Sequence, residues 1–120
     1  MAARIHRKLG PSGTGTAHWW QQRLTALALI PLCLFLVGLL PAMAGATYRE
    51  LVALMQIPAT PIALALLVAV GLWHMKLGLQ VVIEDYVHHE GWKTGLMIAL
   101  TFATVLLATA GLVSIVMLAA

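Results

Sequence analysis

The ionisable residues inside apolar segments mark where chemistry can be expected, and they cluster in the second of three apolar stretches. His74 and Lys76 lie near membrane depth on the helix predicted for this stretch, and further polar side chains follow at the end of that helix. A polar side chain at membrane depth costs free energy unless it is paired, so it points to function. The polar residues at the end of the stretch are Glu84, Asp85, Tyr86, His88 and His89.

His74 lies close to the middle of its predicted span and has two chemical uses. A neutral imidazole there can hydrogen-bond to a neighbouring helix, or it can serve as an axial ligand of haem iron. Gly71 and Gly78 lie one turn before and one turn after it, near the same face. They leave room for a flat macrocycle or for close helix packing. The residues alone leave both uses open.

No second histidine of the chain lies at the depth of His74, because His18, His88 and His89 are all near the basic surface. Haem bound by two histidines would therefore need a ligand from another chain. The residues predict that such a site forms only in an assembly.

Asp85 and Tyr86 form a second candidate site. Asp85 lies eleven residues after His74, close to three full turns and about 16 Å along the helix. A tyrosine O–H beside a carboxylate at the membrane surface can hold and protonate a quinone carbonyl, although an interfacial tyrosine at a solvated helix end has the same pattern. Lys76 faces nearly away from His74 and either snorkels towards water or pairs with a partner subunit.

The elements that position these residues follow from composition. The chain is 62% hydrophobic and 9% charged with a mean hydropathy of +0.96, whereas soluble domains carry about 25% charged residues. Three uncharged stretches, 24–48, 51–75 and 94–120, each exceed the roughly 20 residues needed to cross a bilayer. The prediction is an all-α membrane protein with three transmembrane helices at about 20–44, 61–88 and 94–119. These helices make up an anchor domain over residues 18–120, and a flexible cytoplasmic arm over residues 1–17 precedes it.

Orientation follows from the basic residues. Five lie on one side of the predicted membrane and only Arg49 lies on the other, which predicts a cytoplasmic N-terminus and an outside C-terminus. The chain is therefore predicted to be a multi-pass membrane protein whose basic side faces a bacterial cytoplasm or a mitochondrial matrix. A cleaved signal peptide is the less favoured alternative, because the polar lead of about 23 residues is long for one. The five basic residues are Arg4, Arg7, Lys8, Arg23 and Lys93.

Three local patterns add smaller predictions. Trp19 and Trp20 beside a basic residue suit the headgroup region. Thr60 followed by proline predicts a helix N-cap. Cys33 is predicted to be a small buried apolar residue.

The stretch 74–87 resembles the second-helix motif of succinate dehydrogenase hydrophobic anchor subunits. That motif has a histidine, a glycine four residues later, a glutamine six residues later and an Asp-Tyr pair at eleven and twelve, and all of these match without a gap. With Lys76 and Glu84, it is most similar to alphaproteobacterial members. The segment from His18 to Arg23-Leu24-Thr25-Ala26 resembles the entrance of the family's first helix. The resemblance covers about 100 residues.

The resemblance implies a set of roles. His74 would be an axial ligand of haem b, and a cytochrome b anchor subunit would supply the second histidine. Tyr86 would donate a hydrogen bond to ubiquinone with Asp85 close by. Arg23 and His18 would face the haem propionates, where cationic donors pair well with carboxylates.

The resemblance also implies partners and excludes others. An iron–sulfur subunit and a flavoprotein subunit would dock on the cytoplasmic side, membrane lipid would surround the helices, and no nucleic acid is expected. The chain itself would catalyse no succinate chemistry. Two alternatives are a fumarate reductase anchor and a non-redox three-helix assembly or transport subunit; the sequence lacks the inverted repeats and broken helices expected of a transporter.

Overall fold

A computed structural model describes residues 14–120, which form helices and no strand. Three of the four helices are long and apolar enough to cross a membrane. The prediction of an all-α protein with three long apolar helices is therefore confirmed, whereas residues 1–13 of the predicted arm lie outside the described residues. The helices are α1 (Thr14–Met43), α2 (Tyr48–Met55), α3 (Ala59–Tyr86) and α4 (Glu90–Ala119).

Helix α3 lies between the other two long helices, because α1 and α4 each pack against α3 rather than against each other. Both pairs are antiparallel. Thr25 of α1 contacts His74 of α3, and Gly111 of α4 faces Val68 of α3. This order makes α3, the helix with most of the ionisable residues, the centre of the fold.

The helix boundaries differ from the predicted ones by a few residues. α1 begins six residues before the predicted start, because the amphipathic segment around Trp19 and Trp20 continues the helix. α4 begins at Glu90 rather than 94, since His89 caps it and accepts a hydrogen bond from the Trp92 N–H at 3.4 Å. The predicted N-cap at Thr60 is wrong: Thr60 lies inside the first turn of α3 and is only 3% exposed.

The connection between α1 and α3 contains the short helix α2. Its start is a capping box: the Thr47 hydroxyl accepts from the Glu50 N–H at 3.4 Å, and the Glu50 carboxylate accepts from the Thr47 N–H at 2.7 Å. These bonds to Thr47 lower the pKa of the Glu50 carboxyl. Gly45, with φ 76°, turns the chain out of α1.

The packed interior is small. Met55 and Leu77 are the buried apolar residues among those described, and Thr60 and Thr104 are the buried polar ones. Cys33 is exposed on this chain rather than buried as predicted. A spanning helix does not need to hide its apolar side chains from lipid, so exposure here indicates contact with lipid or with other chains.

Candidate functional site

His74 is joined to α1 by a hydrogen bond whose direction can be assigned. His74 Nδ1 lies 2.8 Å from Thr25 Oγ1. The same hydroxyl lies 2.7 Å from the carbonyl oxygen of Gln21 and 3.1 Å from that of Gln22. Its single hydrogen is donated to these backbone carbonyls, so towards His74 it can only accept. Neutral His74 therefore carries its hydrogen on Nδ1 and a lone pair on Nε2.

The second ring nitrogen of His74 remains available. Nε2 makes no hydrogen bond within residues 14–120, and the side chain is half-buried. Histidines that bind metal through one nitrogen usually donate the other N–H to a fixed acceptor. His74 has this arrangement, with Thr25 as the acceptor.

The two glycines beside His74 face α1. A β-carbon at Gly71 would lie 3.8 Å from Leu29 Cδ2, and one at Gly78 would lie 3.6 Å from Gln22 Nε2. Both are ordinary van der Waals distances. The side of α3 that the glycines leave open is occupied by side chains of α1, so here the glycines serve close helix packing.

The pairing of α1 with α3 also shows the depth of His74. His74 lies near the middle of α3, as predicted, but it is level with Thr25, only two residues into the uncharged stretch that begins at Leu24. Because the helices are antiparallel, Lys76 lies level with Arg23. On the α1 side, His74 therefore lies level with the start of the uncharged stretch, whereas it lies near the middle of α3 itself.

His18 and Arg23, the predicted propionate partners, point in different directions. His18 Nε2 is buried and has no hydrogen-bond partner among the described residues. With Gln80 and Glu84 of α3, His18 lines a pocket of about 250 Å³. The Arg23 guanidinium instead lies 5.3 Å from the centre of the Trp19 ring, on an exposed side chain. The structure does not bring the two residues together.

Asp85 and Tyr86 lie in the last turn of α3, and both are exposed; Tyr86 is 77% exposed. Neither side chain makes a hydrogen bond within the described part of the chain. Beside them, His88 Nδ1 donates to the Tyr86 carbonyl oxygen at 3.1 Å. The pair is thus presented at a helix end with its polar atoms free for another molecule.

Two contacts at the site were missed by the sequence reasoning. Thr25 is part of the motif at the entrance of the first helix, and a hydroxyl inside an apolar helix is itself a signal for a polar partner. Lys76 Nζ lies 4.9 Å from the centre of the Trp73 ring, a pair that the i, i+3 spacing would have indicated. No group of three or more metal-binding side chains occurs within residues 14–120.

Comparison with known proteins agrees with the motif on α3. Residues 2–109 match the family model described as the succinate dehydrogenase/fumarate reductase transmembrane subunit. The chain belongs to this family. The family and the three candidate spans together establish that the chain is a multi-pass membrane protein. Because members of this family are subunits of a complex, the chain has partner subunits.

The relatives are anchor subunits of succinate dehydrogenase. The hydrophobic membrane anchor subunit of Rickettsia bellii is 30% identical over 109 residues, covering 91% of this chain and 87% of the relative. That of Paracoccus denitrificans is 30% identical over 103 residues, covering 85% and 79%. The membrane anchor subunit of Reclinomonas americana is 31% identical over 80 residues, covering 64% and 67%. No solved structure matches the chain significantly.

Proposed function

We propose that this anchor subunit co-ligates haem b through His74 Nε2 and completes a ubiquinone-reduction site with Tyr86 and Asp85. The observation that carries the proposal is the 2.8 Å hydrogen bond between His74 Nδ1 and Thr25 Oγ1. It fixes the tautomer whose Nε2 lone pair can bind iron, and it holds the ring against rotation.

The remaining residues fit a haem shared with another chain. His74 offers one axial ligand, and the second would come from a histidine of a cytochrome b anchor subunit. The exposed Arg23 guanidinium makes no ion pair within the described residues and can pair with a propionate. His18 has a buried ring nitrogen that still needs a hydrogen-bond partner. When bound, haem b would supply one-electron transfer.

The quinone part of the proposal rests on Tyr86 and Asp85. The Tyr86 hydroxyl would donate a hydrogen bond to a quinone carbonyl, and the adjacent carboxylate of Asp85 would orient it. Both are exposed at the helix end on the side carrying Arg23 and Lys93. The iron–sulfur and flavoprotein subunits would dock at this side, the cytoplasmic face of the bacterial inner membrane.

The family description names both succinate dehydrogenase and fumarate reductase. The three relatives bear succinate dehydrogenase names, which supports the direction of succinate oxidation. Rates with ubiquinone and succinate against rates with menaquinol and fumarate would separate the two directions.

The haem role is tested by replacing His74. In the purified complex, His74→Ala should abolish the spectrum of low-spin haem with two histidine ligands. His88→Ala is the matched control, because His88 lies just past the end of α3 and its ring hydrogen-bonds to the backbone carbonyl of Tyr86. Its spectrum should remain that of the wild type. A full low-spin spectrum in His74→Ala would refute the haem role.

The quinone role is tested by replacing Tyr86. Tyr86→Phe should lower ubiquinone reduction by succinate while oxidation of succinate by an artificial acceptor stays intact. Tyr48→Phe is the control, since Tyr48 is also exposed, at 74%, but lies on α2 at the other end of the helices. Equal loss of both activities in Tyr86→Phe would count against a role in quinone binding.

A further inference from the structure

A groove on the far side of α3 from His74 contains a single charged side chain. It lies between α3 and α4 and has a volume of about 230 Å³. Among the described residues that line it, Lys76 is the only ionisable one. This groove is here called the α3–α4 groove. Its principal lining residues are Ala69, Leu72, Trp73, Lys76, Thr104 and Ala108.

The Lys76 ammonium group has no anionic partner in the described part of the chain. The ion pair found there joins Lys93 to Glu90 instead. The Trp73 ring gives Lys76 a cation–π contact but leaves its hydrogen-bond donors unused. The Thr104 hydroxyl donates to the Leu100 carbonyl at 2.7 Å. A cation beside an apolar groove is stabilised by an anion, and residues 14–120 provide none at this position.

The depth of Lys76 indicates which anion can reach it. Lys76 is level with Arg23, at the boundary where the uncharged stretch of α1 begins. The exposed, edge-to-face pair of Trp19 and Trp20 lies just beyond this boundary on α1. Tryptophans and basic residues at such a boundary mark the headgroup level of a bilayer. Phosphate is the abundant anion at the headgroup level, and a lysine side chain can extend towards that level from deeper in the layer.

The groove runs from Lys76 towards the interior of the hydrophobic layer. Ala69 and Leu72 precede Lys76 on α3, and Ala108 faces them from the antiparallel α4. Their side chains are small or apolar, so the groove changes from cationic at the boundary to apolar further in. A phospholipid likewise has a charged headgroup at one end and apolar acyl chains at the other.

We propose that the α3–α4 groove binds an anionic phospholipid, with its phosphate on the Lys76 ammonium and the start of an acyl chain along Ala69, Leu72 and Ala108. This site is separate from His74, Tyr86 and Asp85, so the proposal stands or falls independently of haem and quinone binding. The alternative occupant is a helix of another subunit that carries a carboxylate.

Lipid binding is tested by native mass spectrometry of the delipidated complex, titrated with phosphatidylglycerol or phosphatidylcholine. Lys76→Met should weaken phosphatidylglycerol binding about fivefold, the effect of one basic residue near a membrane surface. Lys76→Arg should retain binding. Lys93→Met, which removes another cation at the same end of the helices, should leave it unchanged. Equal binding by wild type and Lys76→Met would overturn the proposal.

A second measurement identifies the occupant without altering Lys76. Val105 lines the groove and is 59% exposed, so a photo-reactive amino acid can replace it. The complex is placed in vesicles that contain equal amounts of phosphatidylglycerol and phosphatidylcholine, and the photo-reactive group is then activated. Adducts should be lipids enriched in phosphatidylglycerol relative to those formed from Val116, an exposed position away from the groove. Adducts with another subunit, or lipid adducts without enrichment, would contradict the proposal.

Discussion

Replacing Thr25 by valine removes the acceptor of the His74 Nδ1–H and leaves the shape of the side chain nearly unchanged. The hydroxyl bonds to the backbone of its own helix and to His74 at 2.8 Å. The first bond is local to α1, whereas the second is the contact that orients the proposed ligand. Thr25→Val therefore tests orientation without touching the ligand itself.

The expected size of the effect follows from the geometry. A hydrogen bond between membrane helices is worth about 0.6 kcal/mol, and a buried donor left without an acceptor costs about 1–3 kcal/mol. Because the His74 ring is half-buried, we expect a loss of about 1 kcal/mol in α1–α3 association. Loss of the partner of a metal-binding histidine lowers metal affinity about 10–100-fold. The partner here is a neutral hydroxyl, so we expect about tenfold weaker haem retention.

Haem retention is measured as haem per complex after transfer to a haem scavenger, together with the visible spectrum. Thr25→Ser keeps the hydroxyl and should behave as the wild type. Thr101→Val is the matched control, because within the described residues the Thr101 hydroxyl bonds to the Met97 carbonyl of its own helix and to no other group. Haem retention in Thr25→Val equal to that in Thr101→Val would refute the role assigned to Thr25.

Two further predictions concern other parts of the fold. A β-carbon at Gly111 would lie 3.0 Å from Val68 Cγ1, whereas one at Gly38 would meet nothing within 4 Å. Gly111→Ala should therefore lower the thermal midpoint of the complex, since overpacking costs about 1–3 kcal/mol. Gly38→Ala should leave the midpoint unchanged or raise it. A lower thermal midpoint for Gly38→Ala than for Gly111→Ala would contradict the packing of α3 on α4. For α2, the pKa of Glu50 is lowered from its ordinary value of 4.5, so the capping box contributes stability above pH 4.5 and loses it as the pH falls through the lowered pKa. Hydrogen exchange should show the α2 amides losing protection in that range, and Glu50→Gln should remove this pH dependence. An identical profile in the variant would exclude Glu50 as its cause.

Much of the fold could be predicted because it depends on long uncharged stretches. Three such stretches gave three spanning helices, and the motif from His74 to Tyr86 placed the candidate site on the middle one. Helix ends were predicted less well. A helix continues past the membrane as long as its backbone is capped, and the capping side chain of His89 lies five residues before the predicted start of α4.

Contacts between helices could not be predicted from composition. The uncharged stretch of α1 contains no ionisable residue, so nothing in its charge pattern indicates that Thr25 faces His74. The level of Lys76 relative to α1 depends on the pairing of α1 with α3. In this pairing Lys76, which the sequence places near membrane depth, is level with Arg23. These relations follow from the register between helices, which a single sequence does not show directly.

The sparse interior of the helix bundle affects how the subunit is made. With Met55 and Leu77 as the buried apolar residues in the described region, each long helix can enter the bilayer separately and find its neighbours afterwards. We therefore expect a copy produced without companions to keep its helices but to pair them loosely. We expect membrane proteases to recognise such a copy by its mobile helices and not by an unfolded segment of chain.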